Sequence, residues 1–326
     1  MPGTSVINVP NNDQRIWNRD QIVIEITQAA ARGDDIVVRM NGEGPCAASL
    51  GLYDMLDQIG YDPSKISIST CNLLETHDRY TVGLTAPDKH LGWIQETMKA
   101  GIPDKVISAN TKHFGHFVGH GSLPRLAIAA HLWQNHRERS LQTYHTTMTD
   151  PYHREWVAIE DLLFYGFGDR LITPALDLLR HAPLTWDRKN VEPIMDRMMY
   201  GIVGAYDHIF VDIVCHTYYT GRTFYLDEKI WRPIMTRTPF MAHGPQNFIP
   251  NLRRLGFETF DRWWDEGYSQ DPTHVQISAV LDNIDMLSQK TTNQLEIMYN
   301  EMQPVLQHNF DLLLRLTHKD FFRDYT

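Results

Sequence analysis

The stretch "TFYLDEKIWRPIMTRTPFMAHG" (223–244) decides how this chain is read. An aromatic approach, Phe224-Tyr225, runs into the charged triplet Asp227-Glu228-Lys229, and a helix-like apolar segment follows. "TPFMAHG" then has the composition of a short buried strand that stops on Gly244. Just upstream, "HIFVDIVCH" (208–216) is the clearest buried strand of the sequence, followed by the polar loop "TYYTGRT". Strand, loop, helix and strand in that order describe a unit of parallel sheet, in which a helix carries the chain back. Glu228 and Lys229 then stand in the first turn of a helix at the carboxyl edge of the sheet, where open α/β folds bind ligands. Two readings stay open at that point. The acidic residues complement the helix dipole, or a carboxylate accepts both hydroxyls of a ribose while the lysine meets phosphate.

Toward the N-terminus the pattern alternates. "QIVIEI" (21–26), "IVVRM" (36–40), "ISIST" (66–70) and "KVISAN" (105–110) have strand composition. "AASLGLYDMLDQIG" (47–60) has helix spacing, with Leu50, Tyr53 and Leu56 on one face and Gly60 as its stop. "LPRLAIAAHLWQNHR" (123–137) is a helix with Pro124 in its first turn. A polar, turn-rich stretch at 143–153 places a domain boundary there, giving domains 1–153 and 154–326. Helices are expected at 154–166, 170–181 and 246–255, the last closed by Gly256. From 274 the chain stays helical, and Thr291 with Gln294 makes a capping box before a second stripe. The fold class is therefore α/β with mostly parallel sheets and a helical tail.

Bulk properties narrow the function classes. At 326 residues the chain suggests two domains. The net charge of −10 is spread along the sequence, which argues against an extensive nucleic-acid interface. No segment has the apolar length of a membrane span, and the first residues lack the pattern of a signal peptide. Cys46, Cys71 and Cys215 are odd in number and far apart, which fits free thiols and a cytoplasmic location.

Several motifs are set aside. "GHFVGHGS" (115–122) lacks the lysine of a P-loop, and "HGSLP" lacks the second glycine of a nucleophile elbow. His113, His116 and His120 are interrupted by glycines with no further ligand at metal spacing, so no metal site is expected there. The loop they form precedes a helix whose first turn holds Arg125, a place suited to an anion. In "VVRMNGEGPCAAS" (37–49) a strand delivers Glu43 to a glycine-flanked turn at the carboxyl end of the sheet. A solvated glutamate in an ordinary turn and a functional carboxylate are equally open there.

"FYLDEKIWRPIMTRTPFMAHG" resembles the donor-binding signature of the α1,3-fucosyltransferases, glycosyltransferase family 10: Tyr-Val-Thr-Glu-Lys, a helix, then an apolar strand ending in Gly. The family's donor-contacting tyrosine, glutamate and lysine fall on Tyr225, Glu228 and Lys229. The preceding strand and loop are similar too, although the family's Glu-Asn pair is His216-Thr217 here, which leaves the donor's identity open. "NGEGP" resembles the family's turn bearing the proposed base, on Glu43, and Arg125 matches the arginine that holds the donor diphosphate. The segments around "EKIWRPI" and "NLRRLGFETFDRWWDE" are also similar to uncharacterised phage-encoded proteins. The resemblance implies a GT-B fold, two Rossmann-like halves facing a cleft with C-terminal helices. It implies an inverting, metal-independent transfer from a nucleotide-sugar donor, such as a GDP- or UDP-sugar, to a glycan or small-molecule acceptor, with no further cofactor. Glu43 is then the base, Arg125 and Lys229 the diphosphate partners, Glu228 the ribose ligand and Tyr225 a wall of the donor site. An inactive nucleotide-sugar-binding module and a phage DNA-modifying transferase are the alternatives.

Overall fold

Two four-stranded, all-parallel sheets carry the chain. The computed structural model describes residues 3–9, 18–40, 44–85, 91–149, 153–186 and 202–323. In the first sheet the strands lie in chain order: β1 (Thr4–Val9), β2 (Asp35–Met40), β3 (Ile66–Thr70) and β4 (Thr81–Leu84). Helix α1 (Arg19–Ala31) connects β1 to β2, and α2 (Leu52–Ile59) lies between β2 and β3. Ile7, Val9, Ile36, Val38, Ile66 and Ile68 from the strands pack with Ile22, Ile26, Leu52 and Leu56 from the helices.

Two strands expected from composition do not form. Residues 21–26 lie inside α1, because Ile22, Ile26 and Ala29 fall at helical spacing on its buried side. Asn18 caps that helix by accepting from the Gln21 amide at 3.2 Å, and this local signal overrides the β-branched composition. Residues 105–110 also stay irregular. There Ser108 and Thr111 close a turn through the Ser108 amide and the Thr111 hydroxyl at 2.9 Å, so the strand begins only at Lys112.

The second sheet has the order β6-β5-β7-β8, with β5 (Lys112–Val118), β6 (Ser140–Tyr144), β7 (Ile209–Cys215) and β8 (Phe240–His243). The histidine-glycine segment read as a loop is thus largely the strand β5, and its glycines and histidines are compatible with burial because β7 and β6 flank it. Helix α3 (Leu91–Ala100) precedes β5, and α4 (Leu123–Asn135) joins β5 to β6. α5 (Arg154–Phe164) and α6 (Gly168–His181) pack with α4. α7 (Glu228–Met235) connects β7 to β8 and starts at Glu228, as expected. Beyond β8 come α8 (Phe248–Arg254), α9 (Thr273–Ser288), α10 (Thr292–Arg315) and α11 (His318–Arg323). The capping box forms in full: the Thr291 amide donates to Gln294 Oε1 at 2.9 Å and the Gln294 amide to Thr291 Oγ1 at 3.3 Å.

The chain forms two compact units, Met1–Leu91 with Thr217–Asp227 and Leu316–Thr326, and Gly92–His216 with Glu228–Arg315. A boundary at 153 would cut the second sheet, because β5 before it pairs with β7 after it. The polar stretch that begins at 143 starts inside the strand β6, which ends at Tyr144. No helix among the described residues is long and apolar enough to cross a membrane.

Candidate functional site

In the second unit a group of charged side chains gathers on β5, β7, α4 and α7. His116, Arg125, Tyr206, Asp212, Lys229 and Arg232 line one small cavity of about 10 Å³, room for about one water. Arg125 and Lys229, which sequence reasoning assigned to the same diphosphate from separate motifs, are brought to this one place. Arg232 is a third cation there that sequence reasoning missed. Its position one helical turn after Glu228 was the available signal.

Each cation is fixed by its surroundings. Arg125 is buried in the first turn of α4. Its Nη1 donates to the His120 carbonyl at 3.2 Å and its Nη2 to the Cys215 carbonyl, at the end of β7, at 3.3 Å. Lys229 Nζ lies 3.0 Å from Glu228 Oε1, and Arg232 Nη2 lies 3.8 Å from the same oxygen. Glu228 is thus a buried carboxylate paired with two cations, and it also stands in the first turn of α7, where it complements the helix dipole.

Beneath them lies Asp212, a charged residue in the middle of the strand "IFVDIVC" whose seven positions are all buried. Its Oδ2 accepts from the Tyr206 hydroxyl at 2.8 Å. Burial pushes its pKa up to about 7, against the pull of that hydroxyl, Arg232 and Lys105. A carboxyl in an otherwise apolar strand was the sequence signal for it, and the composition argument passed over it. His116 sits with Nδ1 2.8 Å from the Ile213 carbonyl and Nε2 3.2 Å from the Arg125 carbonyl. Burial pushes its pKa down to about 4, so near pH 7 it is neutral and has one N–H to donate to these two carbonyls. His113 faces the Lys290 carbonyl at 2.9 Å through Nε2. His113 and His116 thus pair with carbonyls on different elements.

The first unit holds the other two motifs. Glu43 lies outside the described residues, but its neighbour Gly44 is held in place. The Thr223 hydroxyl donates to the Gly44 carbonyl at 3.2 Å. Asn72, after β3, bridges to the same segment: its Nδ2 donates to the Arg222 carbonyl at 2.9 Å, and its Oδ1 accepts from the Phe224 amide at 2.9 Å. Gly44 is in the left-handed region (φ 67°), and a Cβ there would meet the Asn72 amide nitrogen at 2.9 Å. Gly44, Asn72 and the approach to the "YLDEK" motif, Arg222–Phe224, therefore pack as one piece. Tyr225 belongs to this segment and is half-buried. Glu75, which sequence reasoning did not single out, supports the piece by accepting from the Ala47 amide at 2.9 Å and the Tyr53 hydroxyl at 2.8 Å.

No protein-family model and no curated protein matches the chain. Among solved structures it is similar to an α,α-trehalose 6-phosphate synthase from Burkholderia multivorans, with 10% identity, 99% of this chain and 70% of the other covered, and a TM-score of 0.41. A UDP-forming α,α-trehalose-phosphate synthase from Burkholderia vietnamiensis is 9% identical over 92% of this chain and 70% of its own, with a TM-score of 0.42.

Proposed function

We propose that the chain is a nucleotide-sugar-dependent glycosyltransferase of GT-B type. The observation that carries this reading is that Arg125 and Lys229, drawn from two motifs about a hundred residues apart, line one polar cavity together with Arg232. Charge developing on a leaving diphosphate needs fixed cations of this kind, and their preorganisation lowers the barrier without further rearrangement. The present cavity takes only about one water, so a diphosphate requires Lys229 to turn from Glu228 toward the phosphates. Glu228 would then be released to accept the ribose hydroxyls. Tyr225 would line the donor site, and Glu43 would remove the acceptor proton. General-base help of this sort is worth on the order of 10²–10⁴-fold in rate. The resemblance to family 10 suggests an inverting, metal-independent reaction.

The test is a thermal-shift panel of GDP, UDP, ADP and their sugars on the wild type and Glu228→Ala. One nucleoside diphosphate that stabilises the wild type and not the variant supports the reading and names the base. No stabilisation by any of them leaves the fold a borrowed scaffold. If a donor is found, Glu43→Gln should keep its binding and lose transfer. Binding without transfer by the wild type would favour the inactive-module alternative, and a salt-sensitive, DNA-dependent transfer would favour the DNA-modifying one.

A further inference from the structure

Away from the cation cavity, the far end of α4 brings two imidazoles onto one carboxylate. His131 lies in the last turns of α4, and His136 is the residue that closes that helix. The backbone leaves the helix at His136 (φ −136°, ψ 24°), which swings its ring back until the two ring centroids are 5.4 Å apart. Asp285, on α9, meets both. Its Oδ1 is 2.8 Å from His131 Nε2 and 2.6 Å from His136 Nε2. The three donor atoms lie within 4.8 Å of one another.

We propose that His131, His136 and Asp285 bind a divalent transition-metal ion of the zinc class. The donor set is two imidazole nitrogens and one carboxylate oxygen, which suits zinc, cobalt or nickel and not calcium or magnesium, which take oxygen ligands. Ligands of a tetrahedral zinc stand about 2.0–2.2 Å from the ion and hence about 3.3 Å from each other, so the two spacings to Asp285, 2.8 and 2.6 Å, need to open by less than about 1 Å. Asn135 Nδ2 lies 3.1 Å from His131 Nδ1; an ion on Nε2 leaves the ring proton on Nδ1, and the Asn135 amide then has to turn its oxygen to that N–H to act as an outer-shell acceptor.

The location fixes what the ion would do. His131 is nearly inaccessible, but the Asp285 side chain is 45% exposed, so an ion has a route in and three protein ligands leave a position for water. Arg125 lies six to eleven residues earlier on α4, about 9–16 Å along the helix, so this site is separate from the cation cavity. An ion here ties α4 to α9, which already pack together. Its effect is on the stability of the second unit, and it leaves the metal-independence of any transfer reaction untouched.

The test is titration of the metal-free protein with zinc and with cobalt, for the wild type, His136→Gln and Asp285→Asn. The asparagine keeps an oxygen acceptor for the imidazoles and removes only the charged ligand. The wild type is expected to bind one ion per chain, to melt at higher temperature with zinc, and to show the visible absorption of tetrahedral cobalt. Both variants should lose at least about tenfold in affinity, with metal-free melting close to that of the wild type. If the wild type binds no more tightly than the two variants, the site is a plain hydrogen-bonded junction and the proposal is wrong. Should the variants not fold, X-ray absorption on the wild-type zinc protein decides: a nitrogen and oxygen shell with imidazole scattering supports the site, and sulfur ligands or free hydrated zinc overturn it.

Discussion

Lys229 Nζ and Glu228 Oε1, on adjacent residues at the start of α7, lie 3.0 Å apart, with Arg232 Nη2 3.8 Å from the same oxygen. Like-signed neighbours make this carboxylate a holding group. It neutralises two cations of one helix that line the same cavity as Arg125. The proposed donor reading gives the same oxygen a second task, at the ribose, once phosphate takes over the neutralisation.

Those two tasks separate in one experiment. Glu228→Gln keeps the size and loses the charge. It should weaken binding of a nucleoside diphosphate by about ten- to a hundredfold, the range of a lost hydrogen bond to a charged group. Inorganic pyrophosphate, which has no ribose, should bind as well or better, because Lys229 and Arg232 are then released. Isothermal titration of both ligands reads the result. Equal weakening for both would mean that Glu228 only positions the cations.

Arg125 supports the fold as well as the cavity. Its guanidinium ties the carbonyls of His120 and Cys215 at the edge of the second sheet. Arg125→Met leaves both carbonyls without that donor in a buried place, and should cost about 2–4 kcal/mol in urea unfolding. Loss of anion binding by this variant is therefore informative only in conditions where it is fully folded. Arg125→Lys separates the effects, since it retains the charge and lacks the planar fork.

How much of this was legible in the sequence follows from the range of each interaction. The capping box at Thr291 and Gln294, the stop at Gly60 and the start of α7 at Glu228 are local, and local chemistry specifies them. β7 was legible because burial on both faces leaves a continuous apolar run. β5 was not, because its histidines and glycines read as loop, and carbonyl partners on β7, on α4 and just after α9 make burial of the histidines tolerable. The strand reading of 21–26 went wrong where Ile and Val composition outweighed a helical period and the Asn18 cap. Arg125 and Lys229 were found through a motif, whereas Asp285 meets His131 from 154 residues away and no local pattern announces it.

Gly121 sits where β5 leads toward α4, and its amide donates to Glu155 Oε1 at 3.2 Å and Thr146 Oγ1 at 3.1 Å. A Cβ there would stand 2.5 Å from the Tyr144 hydroxyl and 2.7 Å from Glu155 Oε1. Gly121→Ala must push those groups apart inside a buried setting, at a cost of about 1–3 kcal/mol. Chemical denaturation measures it. A neutral result would mean that Tyr144 and Glu155 yield easily, and that the close approach is not needed for stability.

The sharpest pH prediction concerns Asp212. Its pKa is pushed up to about 7, first by burial, while the Tyr206 hydroxyl, Arg232 and Lys105 pull it back. A raised carboxyl pKa means that between about pH 4 and pH 7 the folded chain holds a proton that the unfolded chain has released. Stability from this group is therefore complete below about pH 4 and declines as pH rises through about 7. Lys105, which faces Asp212, is pushed down to about 7 by its own burial. It stays protonated in both states below that, so its effect begins only above pH 7 and has the opposite sign. His116 and His243, each pushed down to about 4 by burial, add a rising slope that the wild type and an Asp212 variant share. Asp212→Asn keeps an oxygen for the Tyr206 hydroxyl and removes the titration. The stability of the variant minus that of the wild type should accordingly increase from pH 4 to pH 7, measured by urea unfolding at unit pH steps. Parallel curves across that interval would show that Asp212 is ionised throughout, held by Arg232 and Lys105, and the cavity would then carry one more fixed negative charge.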